Sequence, residues 1–224
     1  ESESCGIPEY LWTITYVPEY CGTGTGNWAF TNSSNQNSPN PSFNFIEAGT
    51  YTLILSATNS CGTFTSAPQT VTVKQPPIST LNAIDNSCGA TSINPVATVN
   101  NCAPVSETVT YNWSFPGGTP ATSNLLNPGT VSYTTAGVYQ ITFSVTNSCG
   151  TTTKTEDFTI NPLPTITNTD LLQTICSGTS TNEINLTSDI AGTTYSWSGS
   201  APAGVTGYAA SGNTAFIPAQ IIFN

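Results

Sequence analysis

The sequence predicts an all-β protein built of tandem β-sandwich units. Three observations lead there. No stretch carries the i, i+3, i+4, i+7 apolar spacing of an amphipathic helix, whereas short alternating segments are separated by turn clusters such as SSNQNSPNP and PGGTP. Charged residues make up only 6% of the chain, against roughly 25% in ordinary soluble proteins. Ser, Thr, Asn and Gly take their place, a composition suited to strands joined by many turns. The chain also repeats itself: ATNSCGT at Ala57–Thr63 returns as VTNSCGT at Val145–Thr151.

Each element follows from that repeat. Before the two turns lie AGTYTLILSATN (Ala48–Asn59) and AGVYQITFSVTN (Ala136–Asn147), which alternate apolar and polar residues as half-buried strands do. Further upstream, NWAF and NWSF set Trp28 against Trp113, preceded by Cys21 and Cys102, and before those by Cys5 and Cys88. A third copy opens at PLPTITNTDLLQTICSG, where Cys176 matches Cys88, and YSW at Tyr195–Trp197 matches YNW at Tyr111–Trp113. The prolines of KQPP and NPLP end strands and stiffen short linkers. They divide the chain into units 1–76, lacking a first strand, 77–163, and 164–224, incomplete at its C-terminal side. The expectation is a piece of a longer array whose neighbours are further repeats of the same chain. The alternative is that a partner supplies the missing strands of the third unit.

Charge and cysteine usage narrow the function classes. Twelve acids against two lysines give a net charge of −10, which disfavours phosphate backbones and anionic membranes. No run of 18 apolar residues exists to insert in a bilayer, and ESESCGIPEY has neither the basic start nor the apolar centre of a signal peptide. Seven cysteines occur without any His or a CxxC pair, so disulfides are expected rather than zinc. Disulfides imply an extracellular, cell-surface setting.

The order W-x-F, a loop with N-P, then GTYTLILSATN and GVYQITFSVTN resembles the PKD (polycystic kidney disease) Ig-like domain. The usual WDFGDG turn of that family is replaced by WAFTNS, WSFPGG and WSGSAP. The ICSG and NPLP punctuation is similar to PKD-like repeats of large Bacteroidota surface proteins, including gliding-motility adhesins exported by the type IX secretion system. The resemblance implies tandem Ig-like, PKD-type sandwiches in a linear array. Such an array would be the stalk of a surface adhesin or filament, with other surface proteins or further copies as partners. A carbohydrate- or protein-binding accessory module of a secreted protein is the alternative.

Candidate residues are weighed on that frame. Trp28, Trp113 and Trp197 are expected to fill the cores of their units, with sugar stacking as the competing role. In an Ig-like sandwich the loop after the second strand and the turn after the sixth share one end, so Cys21 with Cys61 and Cys102 with Cys149 are candidate pairs. Cys5, Cys88 and Cys176 fall at the opposite end, where cross-domain bridges such as Cys5–Cys149 compete. Glu156 and Asp157 are adjacent on a strand and point to opposite faces, which excludes a general acid–base pair. Asp85, Asp170 and Asp189 are isolated, which is too few carboxylates for calcium. Lys74 and Lys154 are candidates for crosslinks to Asn, against a plain role at a seam or an exposed strand. With no His in the chain a nucleophilic triad lacks its base. The expectation is a non-enzyme without cofactor or metal.

Overall fold

The computed structural model describes residues 5–169 and 171–224. Asp170 therefore lies outside the described residues. The chain divides into two compact units, Glu1–Asn161 and Pro162–Asn224, and all regular structure among the described residues is β.

The first unit starts with the long strand β1 (Glu9–Pro18), followed by a short hairpin of β2 (Trp28–Thr31) and β3 (Ser42–Phe45). Strand β4 (Gly49–Asn59) pairs antiparallel with β1, and on its other side with β5 (Gly62–Thr65) and β6 (Gln69–Val73). The chain then crosses Lys74–Pro77 into β7 (Ile78–Leu81), β8 (Ser87–Cys88), β9 (Thr91–Ile93) and β10 (Ala97–Asn100). Pro95 separates β9 from β10, since it has no N–H to give a ladder. After them come β11 (Thr110–Ser114), β12 (Thr122–Ser123), β13 (Val131–Tyr133), β14 (Gly137–Asn147) and β15 (Gly150–Asn161).

From β7 onward the strands form a two-layer sandwich. One layer runs β12-β11-β14-β15-β8; the other holds the pairs β7–β10 and β9–β13. Alternation along β14 turns Ile141, Phe143 and Val145 inward. They meet Trp113, Phe115, Phe158 and Ile160, all at most 2% exposed, with Val131, Tyr133, Ile93 and Ala97 from the opposite layer. Burying each large apolar side chain of this core contributes about 1.5–3 kcal/mol.

The repeated TNSCG is the tip of a hairpin. Asn59 stands opposite Gly62 and Asn147 opposite Gly150, leaving a two-residue turn of Ser and Cys. The Asn Oδ1 closes the turn by accepting from the Cys N–H, at 3.0 Å for Cys61 and 2.8 Å for Cys149. Gly62 and Gly150 follow at φ 143° and 149°, a conformation that side chains avoid. This is the physical content of the repeat: Asn to close, Gly to leave.

The two halves of the first unit share one register. Thr58 on β4 faces Glu9, and Thr146 on β14 faces Thr110. Counting along the partners, Leu55 faces Trp12 and Phe143 faces Trp113. The counterpart of Trp113 is thus Trp12, not Trp28 as the NWAF/NWSF alignment expects. Both indoles donate to a later backbone carbonyl, Trp12 to Ser38 and Trp113 to Leu125, each at 3.0 Å.

The second unit is made of short pairs. These are β16 (Thr179–Ser180) with β21 (Ile221–Ile222), β17 (Ile184–Asn185) with β20 (Phe216–Ile217), and β18 (Trp197–Ser198) with β19 (Ser211–Gly212). Trp197 faces Gly212 much as Trp113 faces Ser123.

Candidate functional site: the bridged junction

The segment Lys74–Pro77, expected as a stiff seam, is gripped from several sides. Lys74 Nζ donates to Glu107 Oε2 at 2.8 Å and to Ser148 Oγ at 2.7 Å. Glu107 also accepts the Ser148 N–H at 3.1 Å. The Lys74 ammonium, helped by Ser148, holds the Glu107 carboxyl down at about 2, and the same bond pushes Lys74 up. Gln75 Nε2 donates to the carbonyls of Cys21 and Tyr20, and its N–H to that of Cys102. The carbonyl of Gln75 accepts from Asn147 Nδ2, which is shared with the Asn101 carbonyl. Thr152 Oγ1 donates to the Pro77 carbonyl. The polar groups of the seam are thus paired, while the buried Oδ1 of the adjoining Asn101 is left without a partner.

A disulfide crosses this seam. Cys21 is bonded to Cys102 with their Cα atoms 4.9 Å apart, and Cys102 is 1% exposed. Tyr20, Cys21 and Cys102 all take positive φ, at 53°, 70° and 54°. Such conformations cost on the order of 1 kcal/mol or more each for non-glycine residues. Closing the bridge and satisfying Gln75 hold them there. The second disulfide joins Cys5 to Cys61, with Cα atoms 5.3 Å apart, and Ser60 Oγ donates to the Cys5 carbonyl.

These pairs replace the expected same-end pairing. Cys21 follows β1, whose end pairs with the start of β4, whereas Cys61 follows the end of β4. Strand β4 has 11 residues, which at about 3.3 Å each separates the two cysteines by more than 30 Å. Cys5, at the other end of β1, reaches Cys61 instead. Cys102 is taken by Cys21, so neither Cys102–Cys149 nor Cys5–Cys149 forms. Among the described residues Cys88, Cys149 and Cys176 are exposed free thiols. Cys88 lies beside Asn161 at one end of β15 and Cys149 at the other, out of mutual reach.

The other candidates are dispersed. Trp113 is fully buried; Trp28 and Trp197 are half-buried. Trp28 packs edge-on to Phe30 in an aromatic cluster with Phe43. Asp157 accepts from Gln140 across the sheet, while Glu156 accepts from the Ile84 N–H on the other face. Asp189 accepts from the N–H and hydroxyl of Thr165, which lower its pKa. Lys154 faces Phe143 on the neighbouring strand. Two features escaped the sequence. Trp12 was signalled by Y-x-W, since YLW, YNW and YSW occur once per repeat. Glu47 binds the loop Thr23–Asn27 through the Thr23, Gly24 and Asn27 N–H groups and the Thr23 and Thr25 hydroxyls. Nothing in its local sequence marks it. The second unit holds a cavity of about 280 Å³ lined by Trp197, Tyr208, Ile217 and Gln220 among others.

The strands from β7 onward, joined to the preceding half of the unit by the Cys21–Cys102 disulfide, form an Ig-like β-sandwich. Residues 74–162 match the PKD domain family, a stretch that contains the Lys74–Pro77 segment and the complete sandwich. No curated protein matches the chain. Among solved structures, an I-band fragment of titin is 12% identical over 95% of this chain and 78% of its own, with a TM-score of 0.40. The fibronectin(III)-like modules of CbhA from Clostridium thermocellum are 14% identical over 72% and 82%, with a TM-score of 0.30. The fold assignment rests on the strand order itself.

Proposed function

We propose that the chain is a stretch of three PKD-type repeats, with boundaries near residues 76 and 163, serving as a mechanical spacer in a bacterial cell-surface adhesin or filament. The observation that carries this is the Cys21–Cys102 bridge across the seam. It covalently joins two successive repeats where their only other covalent link is the peptide chain through Lys74–Pro77. A recognition surface has no need of such a clamp, whereas a load-bearing joint does. Disulfides and the PKD match support an extracellular location. The punctuation of the repeats supports a Bacteroidota surface protein carried by the type IX secretion route, with neighbouring repeats of one longer chain as the first partners. Single-molecule pulling of the oxidised chain tests the reading. Resistance that collapses on adding reductant is expected; easy unfolding indifferent to reductant would overturn it.

The cavity beside Trp197 and Tyr208 favours a second reading, an accessory module binding carbohydrate or protein. A glycan array without hits, with tryptophan emission unmoved by glycans, removes the carbohydrate form of it.

A further inference from the structure

We propose that the Cys21–Cys102 bridge is an exchangeable lock, with Cys149 as the thiol that opens it. The proposal rests on reading the junction as a mechanical joint and adds its regulation. In the first repeat, the cysteine at the hairpin tip, Cys61, bonds the cysteine preceding the tryptophan strand, Cys5. The shared register makes Cys149 the counterpart of Cys61, and Cys102 the cysteine preceding the strand of Trp113. The second repeat thus contains the same two sulfurs, with Cys102 diverted to Cys21 and Cys149 left as an exposed thiol.

The residues flanking the two are bonded to each other. Asn147, two residues before Cys149, donates to the carbonyl of Asn101, one residue before Cys102, at 2.9 Å. The same amide donates to Gln75, whose N–H is bonded to the Cys102 carbonyl. Cys102 is 1% exposed, so a thiol arriving from solvent is shielded from it, whereas Cys149 stands on the hairpin tip whose Asn147 already bonds to the residue before Cys102.

The step is an isomerisation and needs no oxidant. Cys149 loses its proton and its Sγ attacks Cys102 Sγ. The Cys102–Cys149 bond forms as the Cys21–Cys102 bond breaks, and Cys21 leaves as a thiolate that takes up a proton. One disulfide and one thiol exist before and after. The seam loses its covalent clamp while the second repeat gains the bridge that the first already has.

The scarcity of cations makes the test direct. Trypsin cuts after Lys or Arg, and the chain has two such residues, Lys74 and Lys154. Cys21 lies in piece 1–74, Cys102 and Cys149 both in piece 75–154. The full chain is held at about pH 8, where thiolates form, then quenched with acid, alkylated, denatured and digested without reductant. Exchange releases 1–74 from 75–154 and moves the alkyl label from Cys149 to Cys21; both are expected to increase with time. Cys149→Ser should slow release at least tenfold, and Cys88→Ser should leave it unchanged. Pieces that stay joined in the full chain, or release as fast in Cys149→Ser, overturn the proposal. Neither outcome bears on the spacer reading, which the pulling experiment tests separately.

Discussion

Asn147 donates through its side chain to the carbonyl of Gln75, 72 residues earlier in the chain, at 2.9 Å. One amide thereby serves three tasks: it closes its own turn, holds the seam, and pairs the Asn101 backbone carbonyl. It is 6% exposed, so its partners have little access to water. Replacement by Leu leaves them unpaired and should cost about 1–3 kcal/mol. Asn59→Leu, at the counterpart turn, should cost less. Urea titrations followed by circular dichroism compare the two.

The tryptophans separate by burial. Trp113→Ala empties the core between Phe115 and Phe143, whose rings lie 5.5 and 4.5 Å away, and should cost about 3–5 kcal/mol. Trp12→Ala removes the same hydrogen-bond geometry from a half-buried place and should cost on the order of 2 kcal/mol. Equal losses at the two sites would contradict the difference in burial that separates them.

Stability should fall in acid through Glu107. Its carboxyl is held at about 2, below the ordinary 4.5, because Lys74 favours the ionised form. A depressed acid contributes stability that is present above its unfolded pKa and disappears as pH falls through the folded one. The loss therefore develops between about pH 4.5 and 2, and Glu107→Gln should flatten that part of a melting-temperature profile. Lys74 is shifted upward by the same bond, so its share is present below its ordinary pKa and is lost in strong alkali.

Glu47 predicts a local effect. Its carboxyl is held well below the carboxylate range by the hydroxyls of Thr23 and Thr25. Glu47→Gln removes acceptors from the loop Thr23–Asn27 and should speed amide exchange at Thr23, Gly24 and Asn27, leaving Val145 and Phe158 protected.

Removing the lock should expose the seam. The bridge spans 81 residues, and on the chain-entropy model a loop of that size contributes roughly 4 kcal/mol. Cys21→Ser with Cys102→Ser should lower the thermal midpoint and quicken native-state trypsin cleavage after Lys74. Cys5→Ser with Cys61→Ser should lower the midpoint while leaving that cleavage slow.

Strands were legible in the sequence wherever one face is buried. GVYQITFSVTN alternates because Ile141, Phe143 and Val145 share a core, and β14 follows it residue for residue. The hairpin tips were legible because Asn and Gly each have one physical use there. The position of Trp12 was not read, because local similarity between NWAF and NWSF outweighed strand register, a property of pairing between distant segments. Disulfide connectivity failed for a related reason. It depends on which end of β4 each cysteine reaches, and β1 runs antiparallel to β4 from the chain's start, a direction spacing alone does not reveal. The grip on Lys74–Pro77 comes from distant residues, among them Glu107, Asn147 and Thr152 at 33, 72 and 75 positions away, and leaves no local trace.

The crossing of the seam by sulfur has a consequence for tension. When the ends of the chain are drawn apart, strain entering along β1 passes from Cys21 directly to Cys102, so the polypeptide between them hangs slack as a closed ring. That ring carries β2 to β10, and its 81 residues correspond to roughly 270–290 Å of contour. This reserve of slack becomes fully available only when both the Cys21–Cys102 and the Cys5–Cys61 bonds are opened, so the oxidised protein behaves as a short tether and the fully reduced one as a long one.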